Sequence, residues 1–198
     1  GVNTQKGILL LQGILAAAGA MSNRESKYPA ASRILQEVAA ICAGLVEREL
    51  EPLRGRQLTH KPTAGEKLFL EYGVTGIRGE MEAGLPSIGK VALPCLREAL
   101  AGGLSFNDAL VHTLLALMTV VDDTTILNRH GMAVLQEVRS IASQVMSAGG
   151  MLMENGRQRI AALDQEFIAR RISPGGSADL LAATYFIHLF ENKYQAVD

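Results

Sequence analysis

Strand signal is what this sequence has least of. Runs of β-branched residues alternating with polar ones hardly occur in its 198 residues, while 3.6-residue periodicity recurs. An excess of charge of one sign is also missing. The net charge is −1, which argues against a general nucleic-acid or polyanion binder, since that needs a basic surface. Only two cysteines occur, Cys42 and Cys95, each among apolar neighbours, and they read as reduced core thiols rather than as a disulfide or a nucleophile. No apolar run has membrane length: ILLLQGILAAAGAM is broken by Gln12 and by glycines, and it lacks a signal peptide's cationic start and cleavage context. A Walker-type GxxxxGK[ST] is absent, which disfavours phosphotransfer. No internal repeat or low-complexity segment is visible.

What is present is a 48% apolar composition of a size that buries one sizeable core. The expectation is a single all-α domain over residues 1–198, a multi-helix bundle with functional loops at helix ends, in the cytoplasm. The chain opens at Gly1 inside a motif-like stretch, GVNTQKG, and is expected to be a fragment or a processed product. One apolar helix is expected from about Ile8. Ile34, Val38, Ile41, Cys42 and Leu45 form one stripe of a helix over 30–50, bounded by Pro29 and Pro52. Ser105 and Asp108 read as a capping-box variant opening a helix through Leu110, Leu114, Leu117, Met118 and Val121. Residues 132–148 repeat the pattern through Leu135, Val138, Ile141, Ala142 and Val145, and stop at Gly149-Gly150. Asn155-Gly156 turns the chain into a short amphipathic stretch ending near Arg171. A last helix covers about 178–194.

Four of the connections are dense in Gly, charge and small polar residues. In Asn3-Thr4-Gln5-Lys6-Gly7, Lys6 opposes the helix dipole unless an anion sits between it and the helix amides. The plain alternative is a cap by Asn3 or Thr4 with a solvated lysine. In EYGVTGIRGEMEAGLPS, residues 71–87, glycines at 73, 76, 79 and 84 surround Arg78, Glu80 and Glu82. Close backbone approach to a ligand, with Arg gripping phosphate and a carboxylate holding a divalent cation, competes with a surface turn carrying an Arg78–Glu82 i,i+4 pair. In Val121-Asp122-Asp123-Thr124-Thr125-Ile126-Leu127-Asn128-Arg129-His130-Gly131, two carboxylates meet the unfavourable end of a helix dipole. Bound Mg²⁺ relieves that cost and Arg129 adds a phosphate contact; the alternative is an N-cap role for Asp122 or Asp123. A DDxxD prenyl-synthase reading fails at Ile126. In RISPGGSADLLAATYF, residues 171–186, Ser173 before Pro174, or Ser177, reads as the cap. Either leaves amides beside Gly175 and Gly176 as an anion cradle, with Asp179 complementing the dipole or serving as metal ligand or base.

Taken in order, NTQKG, Thr63-Ala-Gly-Glu66, YGVTGIRGEMEAGLPS, DDTTILNRHG and SPGGSADLLAATYF resemble the triphosphoribosyl-dephospho-coenzyme A synthase family over nearly the whole chain. Gln5 stands where the family commonly has histidine, and Thr125 and His130 also depart from its pattern. The resemblance implies an all-α transferase joining ATP to 3′-dephospho-coenzyme A with release of adenine. The product is 2′-(5″-triphosphoribosyl)-3′-dephospho-coenzyme A, precursor of the prosthetic group of the acyl-carrier subunit of citrate lyase or malonate decarboxylase. It further implies a helical segment ahead of Asn3 that this chain lacks. On that reading Mg²⁺ accompanies the ATP. Glu80, Glu82, Asp122 and Asp123 are its candidate carriers, with Glu80 and Asp123 also catalytic candidates. Asn3, Lys6, Arg78 and Arg129 contact phosphate, Gly175, Gly176 and Ser177 cradle it, and Asp179 is base or metal ligand. His60, His112 and His188 read as structural, and His130 is undecided. Neither nucleic acid nor membrane is an expected partner, and homo-oligomerisation is left open. Two rivals are a helical metal-dependent nucleoside or ADP-ribosyl hydrolase and a non-catalytic nucleotide-binding module.

Overall fold

The computed structural model describes residues 6–25, 30–55 and 61–195, with only the backbone for residues 6, 24, 25 and 193–195. Eleven α-helices and no strand occur among the described residues, so the fold is an all-α, multi-helix bundle. They fall into two compact units. One runs to Gly89 and resumes at Ala182; the other is Lys90–Leu181.

The first unit holds helices α1 (Lys6–Glu25), α2 (Ala31–Ile41), α3 (Leu45–Glu49), α4 (Ala64–Tyr72) and α5 (Gly76–Glu82), and the later part of α11 (Gly175–Gln195). Leu11, Leu15, Ala18 and Ser22 recur at helical spacing along α1 and are fully buried where α1 packs on α2. Gly19 admits the Phe190 ring of α11, since a Cβ there would lie 3.2 Å from it. The single helix expected over 30–50 is instead broken. Gly44 adopts a left-handed conformation (φ 70°), and the short α3 starts after it. Both Glu82 carboxylate oxygens accept from the new helix start, one from the Gly44 amide and one from the Val46 amide, each at 2.9 Å. Thr63 and Glu66 of the Thr-Ala-Gly-Glu motif form a reciprocal capping box at the start of α4.

The second unit holds α6 (Leu93–Ala101), α7 (Phe106–Val120), α8 (Thr124–His130), α9 (Met132–Ser147), α10 (Gly156–Ala169) and the first two turns of α11. α7 is apolar nearly all round and packs on α6 and α9. α9 matches its expected span and buries Leu135, Val138, Ala142 and Val145; Ile141 is half-buried. Ser105 caps α7, its hydroxyl accepting from the Asp108 amide at 3.2 Å. The Asp108 side chain accepts from the same hydroxyl at 2.8 Å and pairs with Arg157. α10 buries only Gly156 and Phe167, which leaves an apolar flank to line a groove. No single described helix is long and apolar enough to cross a membrane. α7 and α8 together have the length and composition, but they are bent by 61° at their break.

Candidate active site

The second unit brings the acidic corner and the Pro-Gly-Gly-Ser stretch together. α7 ends at Val120, and Asp123 caps α8, its Oδ1 accepting from the amides of Thr125 (3.0 Å) and Ile126 (3.2 Å). Its Oδ2 accepts from the Ser177 amide at 2.8 Å and the Ser177 hydroxyl at 3.0 Å. One carboxylate therefore caps two helices. Asp123 is 1% exposed and Ser177 is fully buried, so this charge is held by four hydrogen bonds rather than by water.

That geometry answers what the paired glycines do. A Cβ on Gly176 would lie 3.2–3.3 Å from the Asp123 carboxylate, and one on Gly175 would lie 2.6 Å from the Thr125 hydroxyl. Both keep the start of α11 close to the start of α8. Neither Ser173 nor Ser177 is the cap: α11 starts at Gly175, a turn earlier than expected, and the Pro174 carbonyl accepts its first bond, from the Ala178 amide at 2.9 Å. Ser177 lies inside the helix, where its amide donates to Asp123.

Asp179 stands in the next turn, half-buried. Burial first and the Asp123 charge second push its carboxyl up to about 6 from an ordinary 3.8. The neighbouring Asp122 has a different fate despite its adjacency. Its side chain is 53% exposed and accepts from Arg139 at 2.8 Å, while the same guanidinium nitrogen donates to the Val120 carbonyl at the end of α7 at 2.9 Å. Arg129 is exposed in the last turn of α8, and His130 Nε2 lies 3.0 Å from the Arg171 carbonyl.

In the first unit, Arg78 donates to Glu49 at 2.5 Å, so the alternative i,i+4 pair with Glu82 does not form; Glu82 caps α3 instead. Glu80 accepts from the Ser87 hydroxyl at 2.6 Å and the Ser87 amide at 3.3 Å. The glycines among them have partners in the protein: a Cβ on Gly79 would overlap Thr75, and one on Gly84 would press on the Leu35 carbonyl at 3.1 Å. Asn3 and His60 lie outside the described residues, as does the Lys6 side chain. Among the described residues, no group of three or more His, Cys, Asp or Glu is placed to hold a metal ion. Both cysteines are free, and burial pushes their thiols up. His112 is buried and accepts from the Met151 amide at 3.2 Å, and burial holds its imidazole below the usual range.

A groove of about 360 Å³, which the sequence did not announce, runs along α7 and α10. Val111, Leu114 and Met118 of α7 and Ile160, Asp164 and Phe167 of α10 line it, together with Ile172 and Pro174. The i, i+3, i+7 spacing on α7 is the same for a buried face and a groove wall, so the signal was present but ambiguous.

All of residues 1–198 match the family model CitG: ATP:dephospho-CoA triphosphoribosyl transferase. A probable 2-(5″-triphosphoribosyl)-3′-dephosphocoenzyme-A synthase of Malonomonas rubra is 40% identical over 196 residues, covering 98% of this chain and 62% of the relative. The corresponding synthase of Klebsiella pneumoniae is 38% identical over 190 residues, covering 96% and 62%. That of Pectobacterium atrosepticum is 39% identical over 188 residues, covering 95% and 59%. The chain thus spans about three fifths of the length of these curated relatives. No solved structure matches it. With its whole length matched, this chain belongs to the ATP:dephospho-CoA triphosphoribosyl transferase family.

Proposed function

We propose that this chain transfers the 5′-triphosphoribosyl group of ATP to the 2′-hydroxyl of 3′-dephospho-coenzyme A. The observation that carries the reading is the Asp123–Asp179 corner at the start of α11, in a chain matched along its length by the family model. A bond forms between the acceptor's 2′-oxygen and the ribose C1 of ATP, the bond from that carbon to adenine breaks, the hydroxyl loses its proton and the departing adenine gains one. The triphosphate is retained, so it needs clamping rather than cleavage.

Asp179 takes the hydroxyl proton first and releases it, and solvent carries one to the departing adenine. A carboxyl that titrates at about 6 is poised near neutrality, where a general base works best. Positive charge develops on the ribose as adenine leaves, and the two carboxylates stabilise it. Asp123 is the positioning residue, because all four of its described bonds fix where α11 and therefore Asp179 stand.

Mg²⁺ would take Asp179 as a ligand in place of its role as base. Asp179 is a desolvated carboxyl beside a second carboxylate, the situation a divalent cation relieves. Asp179 would hold it, with Asp122 joining if it exchanged Arg139 for the ion, while both Asp123 oxygens are taken by hydrogen bonds. Bound there, Mg²⁺ would neutralise triphosphate charge. Arg129 and the Gly175 and Gly176 amides are proposed phosphate contacts. Asn3, Lys6, Arg78, Glu80 and Glu82 are proposed substrate contacts on the strength of their motifs, each to be tested by single substitution.

The test is incubation of the chain with Mg-ATP and dephospho-coenzyme A, followed by mass analysis for the triphosphoribosyl adduct and free adenine. Adduct formation that Asp179→Asn abolishes without loss of helical content is expected. Adenine release that does not require dephospho-coenzyme A would replace the transferase reading with a hydrolase. ATP binding with no adenine release would make the chain a binding module.

A further inference from the structure

The groove along α7 and α10 plays no part in the chemistry just described, yet it leads to the same corner. Asp108 near the start of α7 pairs with Arg157 near the start of α10, and both residues line the groove. The wall from Asn107 to Met118 rises eleven residues and that from Arg157 to Ile168 another eleven, about 16 Å each. Past Met118 the chain reaches Asp122 and Asp123; past Ile172 and Pro174 it enters Gly175 and Gly176. Pro174 thus lines the groove and directly precedes the start of α11, which Asp123 holds.

We infer that this groove receives the pantetheine arm of dephospho-coenzyme A, an inference that rests on the function proposed above. The acceptor consists of a nucleotide, whose 2′-hydroxyl must lie at the acid corner, and a flexible arm that has to lie elsewhere. Twelve bonds from its phosphate ester oxygen to the thiol, the extended arm measures about 14 Å by ordinary chain dimensions, which fits a slot of this length. The volume of about 360 Å³ is that of a small-ligand cleft. The chemistry of the lining also corresponds. The arm carries a gem-dimethyl group and methylenes, which Leu114, Met118 and Phe167 cover. It also carries two amides and a hydroxyl, for which Asn107 and Asp164 offer a donor and an acceptor. The arm enters at Pro174 and its thiol points toward the Asp108–Arg157 pair.

Ala161 is exposed and lines the groove, so Ala161→Trp places an indole in the slot. The expected result is at least a tenfold rise in KM for dephospho-coenzyme A with KM for ATP unchanged. Competition by ADP, which is the acceptor without its arm, stays as in the unsubstituted chain. Methyl NMR of the unsubstituted chain with pantetheine alone is expected to shift Met118 and Ile160, and this readout does not depend on the variant folding. If the chain forms adduct but Ala161→Trp leaves the acceptor KM within twofold and pantetheine shifts no groove methyl, the groove assignment is overturned and the transferase reading stands. If the unsubstituted chain neither binds dephospho-coenzyme A nor forms adduct, both are overturned. Groove methyls that shift with protein concentration instead of with pantetheine would assign the groove to a second copy and overturn the inference.

Discussion

Replacing Asp179 by asparagine keeps the shape of the side chain and removes its charge, which separates what the carboxyl contributes to chemistry from what it does to stability. In the fold this group binds its proton more tightly than in the unfolded chain, titrating at about 6 against an ordinary 3.8. The sign follows from that order. Its stabilising contribution is complete below about pH 4 and is lost as pH rises through 6, because ionisation is harder in the folded state. The full difference corresponds to about 3 kcal/mol, and water at a half-buried position screens it to about 1–2 kcal/mol. A neutral amide carries no such burden. Asp179→Asn is expected to exceed the unsubstituted chain by about a third of the full difference at pH 4.5 and by about 1–2 kcal/mol at pH 8, the latter roughly 2–8 °C in Tm for a protein of this size. Thermal and urea unfolding followed by far-ultraviolet circular dichroism at pH 4.5, 6, 7 and 8 measure this, beside the adduct assay. A stability difference independent of pH would refute the argument, as would a loss of stability at pH 8. Greater stability with lost activity is the signature of a side chain kept for its chemistry.

Asp123→Ala leaves the Ser177, Thr125 and Ile126 amides without their acceptor, and a loss of about 3–5 kcal/mol is expected in urea unfolding. Gly175→Ala drives a methyl to 2.6 Å from the Thr125 hydroxyl; a cost of about 1–3 kcal/mol is expected, and Thr125→Ala in the same chain should recover part of it in a double-mutant cycle. Glu82→Gln replaces one of two acceptor oxygens at the start of α3 with a donor, so denaturant unfolding should register about 1–2 kcal/mol of lost stability.

Local periodicity carried the helices well wherever their ends were also local. α9 is bounded by its own sequence, with glycines beyond it, and was legible almost to the residue. The helix expected over 30–50 was not. Its break at Gly44 is supported by Glu82, which lies 38 residues away in sequence and which no window over 30–50 contains. The candidate site shows the same division. Gly-Gly-Ser was legible as a place of close approach. The carboxylate that its serine amide receives comes from Asp123, 54 residues earlier. Asp122 and Asp123 looked like one acidic unit in the sequence, yet one reaches Arg139 at the surface and the other is buried under two helices. Adjacency in sequence says nothing about which way successive side chains leave a turn.

Because a single carboxylate latches the beginnings of α8 and α11, the two helices cannot fray independently at that end. The amide protons of Thr125, Ile126 and Ser177 share one opening event and exchange with solvent deuterium as a group, whatever their distance in the chain.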